Sequence, residues 1–397
     1  MGSNYKPIGD YIQLADERNK GLKVTSLLGL SISKQFIKSV ANTIGTDMEN
    51  YKIIRKDQFA CSTMQVRRDK KMPVALYIED EPSIISQVYP IFEIINTKEL
   101  LPEYLMMWFT RSEFDREACF HAVGGVRGSL EWEDFCGMKL PIPSPEKQQE
   151  IVREYSIIQN RIALNNQLIT KLEETAQAIY KQWFVDFEFP DENGKPYKSN
   201  GGEMVWCAEL EKEIPEGWEY IEIGEIAYIK AGGDKPKIFS KIRKNNISTP
   251  IFSNGVTNKG LYGYTDKFNY PKNSITISAR GTIGYCVLRN EDFDAIVRLL
   301  IVIPKLSNSA IYLWQSINKI EFDDSGSVQN QLTIPQVSIK KVMIPIKEVL
   351  NCYQIIIEKI YYNKELKENQ NQKLEELKDL LLAKMTKVES GIETVEN

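Results

Sequence analysis

The sequence predicts an α+β fold built twice: two globular domains separated by two long helices that pair as a coiled coil. Three observations predict it. Gly124, Val126, Leu130, Lys139 and Pro143 return without a gap as Gly326, Val328, Leu332, Lys341 and Pro345, an offset of 202 residues. The same offset carries Lys171, Leu172, Glu173 and Glu174 onto Lys373, Leu374, Glu375 and Glu376, and a register held that far marks two copies of one unit. Ahead of each helix, short β-branched runs split by Gly, Asn and Asp alternate with helical patterns, which is the signature of mixed domains.

In chain order, residues 1–145 form the first domain. Strands are expected at 51–54, 74–78, 84–88 and 91–95, and a helix at 102–119 with Leu105, Trp108, Phe109 and Phe114 on its apolar side. Residues 146–187 form the first long helix. Ile151, Tyr155, Ile158, Ile162, Asn165, Ile169, Leu172, Ala176, Ile179 and Trp183 step by four and three, an a/d seam with one polar interruption at Asn165. Ser144 suits the cap and Pro145 the first turn. Pro190 and the polar, Gly-rich stretch after it end the helix and open an acidic linker over 188–217. The second domain, 218–347, carries strands at 273–277, 284–288 and 295–303 and a helix at 311–320. The second long helix, 348–388, has an apolar stripe of Tyr353, Ile356, Ile360, Leu374, Leu377 and Leu381. Asn363, Lys367 and Gln370 make its middle polar, so it needs a partner, and the first helix is the nearest one. Residues 389–397 read as a flexible tail.

Composition sets the class. With 42% apolar and 26% charged residues over 397, the chain is an ordinary globular protein with room for more than one core. No apolar run approaches a membrane span, and the polar start lacks the form of a signal peptide, so a cytoplasmic protein is expected. Cys61, Cys119, Cys136, Cys207, Cys286 and Cys352 are scattered without a C-x-x-C pair, the usage of reduced thiols rather than a disulfide framework or a zinc site.

The net charge of −4 hides an uneven distribution. Acids dominate between Asp186 and Glu225, while bases collect in two runs: Arg67, Arg68, Lys70 and Lys71, and Lys235, Lys237, Lys241, Arg243 and Lys244. Local patches, not the total, attract phosphates, so these runs are candidates for nucleic-acid contact, together with Arg280 beside the turn-forming Gly281. Lysines suit phosphate neutralisation, and arginines can also read guanine edges.

Catalytic patterns are missing from the sequence. His121 is the single histidine, there is no phosphate-binding G-x-x-x-x-G-K-[ST] cradle, and no G-x-G-x-x-G follows a strand. Gly232 and Gly233 read as a simple turn. A chain of this size without recognisable chemistry is a reader or a scaffold, so no catalytic residue, metal ligand or bound cofactor is expected in it.

The order of these segments resembles a known family. Leu140-Pro141-Ile142-Pro143, then Gln148-Gln149 and Ile151, then the helix ending Ala178 to Phe187 with Trp183 and Asp186, are similar to the central segment of type I restriction–modification specificity subunits. Gly124 to Arg127 resembles the close of that family's target recognition domains, and residues 277–284 and 326–332 are similar to segments common in them. One departure stands out, because Leu350, Asn351, Cys352 and Tyr353 replace Gln148, Gln149, Glu150 and Ile151 in the second copy. The resemblance implies a non-catalytic subunit whose two target recognition domains, held apart by the two long helices as an antiparallel coiled coil, read the two halves of a double-stranded DNA target, with the helix pair as a ruler. It implies two methyltransferase subunits as partners, bringing S-adenosylmethionine, and restriction subunits, where present, that add ATP-driven cleavage. Two readings compete: a coiled-coil protein–protein scaffold without DNA specificity, which predicts no salt-dependent DNA affinity, and an enzyme of unfamiliar type, which would demand a polar site that the sequence does not show.

Overall fold

The computed structural model describes residues 5–39, 45–124, 128–306, 308–322 and 331–387. The expected tail 389–397, residues 125–127 of the Gly124–Arg127 segment, and 326–330 of the second repeat lie outside the described residues. The chain divides into two compact units: one of residues 1–166 and 369–397, the other of residues 167–368. Both boundaries fall inside long helices, after Asn166 and after Glu368, positions one 202-residue repeat apart.

In the first unit, an antiparallel sheet runs in the spatial order Ile12–Ala15, Ile91–Ile94, Phe59–Cys61, Val74–Leu76. A second sheet orders Phe36–Lys38, Leu27–Leu30, Ser83–Ile85 and Lys52–Ile54, with Leu27–Leu30 parallel to Ser83–Ile85. Strand Phe59–Cys61 is buried throughout because its faces serve two cores. Phe59 and Cys61 face one with Phe92, Phe109 and Phe135, while Ala60 faces the other with Ile54, Ile85 and Ile91. That two-sided burial is why these strands read as continuous apolar runs rather than alternating ones.

The second unit repeats this plan. Ala227–Ala231, Leu300–Pro304, Ser274–Ile277 and Cys286–Arg289 form its four-stranded sheet, and Leu261–Thr265, Thr249–Phe252 and Asp294–Ala295 its second. Again one pair is parallel, Thr249–Phe252 with Asp294–Ala295. Each unit also pairs a strand lying ahead of its two sheets with the one entering its long helix, Tyr5–Pro7 with Lys139–Pro141 and Glu219–Glu222 with Lys341–Ile344. The fold is therefore α+β, and the duplication read from the sequence is a duplication of topology.

Two expected elements divide. The helix at 102–119 is two, Pro102–Thr110 and Ser112–His121, parted at Arg111, whose extended backbone (ψ 141°) breaks the helix. The strand at 295–303 is split by Val297 and Arg298, both left-handed at φ 55° and 59°. The expected linker at 188–217 is folded instead. Met204–Cys207 pairs with Lys212–Pro215, and Phe189 stacks on Tyr197 and Trp218 at 4.5 and 5.2 Å. Phe189 and Tyr197 join the core of the second unit with Trp183, Phe184, Tyr312 and Tyr353, which outweighs the Gly-rich composition that suggested a linker.

The long helices span Pro145–Phe184 and Lys347–Lys384. Lys147 N–H donates to Ser144 Oγ at 3.4 Å at the start of the first, and Phe187, left-handed at φ 62°, turns the chain off its end. In the first unit, Ile151 and Tyr155 pack with Leu382 and Met385, and Asn165 meets Asn371. In the second, Trp183 packs on Tyr353 at 5.6 Å and Glu173 pairs with Lys364 at 2.6 Å. Partner numbers rise on one helix as they fall on the other, so within each unit the pairing is antiparallel.

On the first helix the buried and half-buried line contains every expected seam position: Ile151, Tyr155, Asn165, Ala176 and Trp183 buried, and Ile158, Ile162, Ile169, Leu172 and Ile179 half-buried. The second helix needs correction. Tyr353 is buried and Ile360, Leu374 and Leu381 are half-buried, but Ile356 is 39% and Leu377 52% exposed. Ile357, Leu382 and Met385 are buried there instead. Across the polar middle Lys364 and Asn371 occupy the inward positions, so the nearest apolar residue is no guide to phase, and one residue is about 100° of rotation.

Candidate nucleic-acid interface

Because the two units share a topology, equivalent connections can be compared. The connection from Phe59–Cys61 to Val74–Leu76 holds Arg67, Arg68, Lys70 and Lys71; the connection from Ser274–Ile277 to Cys286–Arg289 holds Arg280. The first basic run and Arg280, far apart along the chain, thus occupy one topological position. All five side chains are exposed.

In the first unit, one helical turn, Val66–Asp69, is bounded by left-handed Gln65 (φ 64°) and Lys70 (φ 52°) and pinned by the fully buried Val66. Arg67 Nη1 donates to Gly124 O at 3.3 Å. Its stem lies on Gly128, where a Cβ would come within 2.7 Å of Arg67 Cβ, so only glycine admits this packing. Arg68 is clasped by Asp69 through two bonds, Nε to Oδ1 at 2.7 Å and Nη2 to Oδ2 at 3.1 Å. Those bonds hold the Asp69 carboxyl below the usual carboxylate range and offset the arginine's charge. Lys34 reaches under this region from a neighbouring turn, bonded to Asp115 at 2.8 Å and to Phe109 O, and Asp115 also accepts from Met72 N–H at 3.1 Å. That buried pair ties the end of the basic connection to the helices beneath it.

The second basic run is built against strand Leu261–Thr265. Ser240 and Tyr264 exchange two backbone hydrogen bonds, at 3.0 and 2.8 Å. Gly263 makes the approach possible, since a Cβ there would lie 2.5 Å from the Phe239 ring and 2.7 Å from Ser240 O. The aromatic rings then become a shelf for cations. Lys235 Nζ lies 3.7 Å from the Phe239 centroid and Lys241 Nζ 4.4 Å from that of Tyr262, the two rings being 5.4 Å apart. Lys241 also donates to Tyr262 O at 3.2 Å. Arg243 is tied to Glu291 at 3.2 Å, while Lys244 sits at a tight turn closed by mutual backbone bonds with Ile247. Lys237 is exposed on the same run. The structure thus gathers Lys235 and Lys241 on one shelf and leaves Arg243 partly neutralised.

Sequence reasoning missed the residues that hold this end of the unit together. Asn254 Oδ1 accepts from Ala279 N–H and its Nδ2 donates to Val297 O, both at 2.7 Å. Val297 and Arg298 N–H donate to Gly233 O and Gly232 O at 3.0 and 3.2 Å. The pair of glycines read as a simple turn is therefore a backbone anchor for another loop. Arg298, exposed in that loop, had no sequence signal. Arg289 is buried in strand Cys286–Arg289, stacked 3.6 Å from the Phe252 ring, with Nε donating to Thr276 Oγ1 at 2.9 Å; it supports the sheet rather than the surface.

Two matched α+β units, each fused to part of an antiparallel helix pair and each presenting cations on the same connection, define a duplicated recognition scaffold. Residues 68–174 and 215–376, more than half of the chain, match the family Type I restriction modification DNA specificity domain. The chain belongs to that family. It is 25% identical over 324 residues to the type I restriction enzyme MjaIX specificity subunit of Methanocaldococcus jannaschii, covering 76% of this chain and 72% of that one. It is 22% identical over 368 residues to the HindI specificity subunit of Haemophilus influenzae, covering 76% and 80%. The crystal structure of a type I restriction–modification S subunit from M. genitalium shares the fold, with a TM-score of 0.64 at 15% identity over 96% of this chain and 95% of that chain. Among the described residues no helix is long and apolar enough to cross a membrane.

Proposed function

We propose that this chain is the DNA sequence-recognition subunit of a type I restriction–modification complex, reading a bipartite target with one half-sequence per α+β unit. The observation that carries this reading is the recurrence of cationic side chains on the same strand connection in both units, in a member of a DNA specificity family. In this reading Lys235, Lys237, Lys241 and Lys244, with Lys70 and Lys71, neutralise phosphates, and the exposed arginines are the candidates for reading base edges. The chain performs no chemistry itself. Two methyltransferase subunits bind it and hold S-adenosylmethionine, and restriction subunits that join them use ATP, all in the cytoplasm where the DNA is. Duplication supports two identical partners. Leu164 and Leu366, one repeat apart, are 46% and 40% exposed on the long helices, matched apolar positions for such partners.

The test is co-expression with a methyltransferase subunit, followed by duplex binding across a salt series and sequencing of methylated sites. The expected result is co-purification, a bipartite methylated sequence, and steeply salt-dependent affinity whose slope flattens by about one unit per lost phosphate contact in Lys235→Ala and Lys241→Ala. Salt-independent binding without sequence preference would favour the protein–protein scaffold instead.

A further inference from the structure

Arg280 differs from Arg68 and Arg243 in how it is held. Its Nε and Nη2 donate to Gln331 Oε1 at 3.1 and 2.6 Å, and Gln331 is neutral. Arg68 and Arg243, in contrast, are held by the carboxylates of Asp69 and Glu291. We infer that Arg280 reads a guanine in the half-sequence taken by the second unit, and that Gln331 is the residue that positions it. The inference rests on the DNA-recognition reading above.

The clasp uses one edge of the guanidinium. It leaves Nη1 and the outer hydrogen of Nη2, two donors side by side, with no carboxylate partner among the described residues. That pair is the fork which matches guanine O6 and N7 in the major groove. A flexible arginine would lose rotamer freedom on binding a base; one already clasped loses less. The backbone makes the clasp rigid. Leu332 N–H donates to Ala279 O at 2.9 Å, so Gln331 and Arg280 are neighbours across a main-chain bond. Ala279, fully buried, is itself held by Asn254, which reaches on to Val297.

That last contact brings a second surface to the same corner. Val297 and Arg298 are consecutive non-glycine residues in the left-handed region, and for a β-branched residue this conformation is costly. The bonds to Gly232, Gly233 and Asn254 impose it. The strain has a visible result: Val297 is 50% exposed and Arg298 stands beside it, rather than both continuing the strand. Strained loops on a rigid scaffold are where binding residues concentrate, and an exposed valine methyl suits a thymine methyl next to a guanine.

The experiment uses the chain in complex with its methyltransferase subunit. Binding is measured on duplexes carrying the methylated target and each single base-pair change within it. Arg280→Ala should lower discrimination at one guanine of one half-sequence by roughly tenfold or more. Arg280→Lys should keep most of the affinity and lose the discrimination, because an ammonium is a point charge. Gln331→Ala should relax the same base and no other, with the salt slope unchanged. Uniform weakening over the whole panel, with the salt slope reduced by about one, would make Arg280 a phosphate contact and overturn the assignment. An unchanged panel would overturn it as well. Arg280 is exposed, so folding is not at stake in these variants. If the wild-type complex methylates a bipartite sequence while Arg280→Ala changes nothing, this inference alone falls; if the wild type shows no sequence preference, both readings fall.

Discussion

Asn165 Nδ2 donates to Asn371 Oδ1 at 2.9 Å across the antiparallel helices of the first unit, and Asn371 Nδ2 donates on to Asn166 Oδ1 at 2.8 Å. Asn165 is fully buried, and its own Oδ1 has no hydrogen-bond partner among the described residues. A polar layer in the seam costs stability, yet its cross-helix bonds form in one register only. A slip of either helix by one heptad would leave both amides without each other.

Replacing both asparagines by leucine should therefore raise stability while loosening register. Asn165→Leu with Asn371→Leu is expected to increase the denaturation midpoint by several degrees, whereas Asn165→Leu alone leaves Asn371 short of a partner and costs about 1–3 kcal/mol before any apolar gain. Thermal unfolding of the three proteins checks this. A double variant less stable than the parent would mean that the layer stabilises the pair outright.

Gln148 and Leu350 occupy one repeat position with opposite chemistry. Gln148 is fully buried, its Oε1 accepting from Leu101 N–H at 2.9 Å and its Nε2 donating to Glu99 O and Pro143 O at 2.8 and 2.9 Å. Leu350 is 1% exposed within the apolar core of its own unit. Gln148→Leu strands three backbone groups and should cost on the order of 2–4 kcal/mol in chemical denaturation, while Leu350→Gln should cost a similar amount by burying an unmatched amide. A neutral Gln148→Leu would show that water replaces the lost bonds.

Arg289 is a buried cation held by a threonine hydroxyl and an aromatic face, without a carboxylate among the described residues. Burial pushes its pKa down, which signals an uncompensated desolvation cost. Arg289→Met keeps the volume and removes the charge, so the variant should be as stable as the parent or more so, by up to a few kcal/mol. Marked destabilisation would reveal that the guanidinium's bond to Thr276 outweighs its desolvation.

Stability should also fall in alkali. Burial, with the Glu173 carboxylate nearby, pushes the Tyr361 phenol up to about 12, and burial raises Tyr312 and Tyr353 in the same unit. An unfolded tyrosine ionises near 10, so above about pH 10 the unfolded state releases its protons first. The tyrosines' contribution is whole below that pH and is lost as pH rises toward about 12. Urea midpoints between pH 8 and 11.5 measure it, and Tyr361→Phe should lessen the fall. A flat profile would place these phenols in water.

The sequence by itself determined the duplication, the α+β class, both long helices and the complete seam of the first. Each is a pattern written in consecutive residues: a fixed offset, a four-three step, a β-branched run. It also marked Arg67, Arg68, Lys235, Lys241 and Arg280 by charge. Tertiary structure decided how those side chains are held. Arg68 is paired with its neighbour Asp69, but Arg280 is bonded to Gln331, a partner 51 residues away that no local pattern links to it. The same reason explains the other corrections. Ile357 rather than Ile356 faces inward because the polar centre of the second helix carries no apolar phase of its own, so the first helix sets it. Residues 188–217 fold because Phe189 and Trp218 find each other in space, and Val297 leaves its strand because Gly232, Gly233 and Asn254 draw its backbone away. Composition and periodicity act along the chain, whereas packing and hydrogen-bond satisfaction act between segments that only the fold brings together.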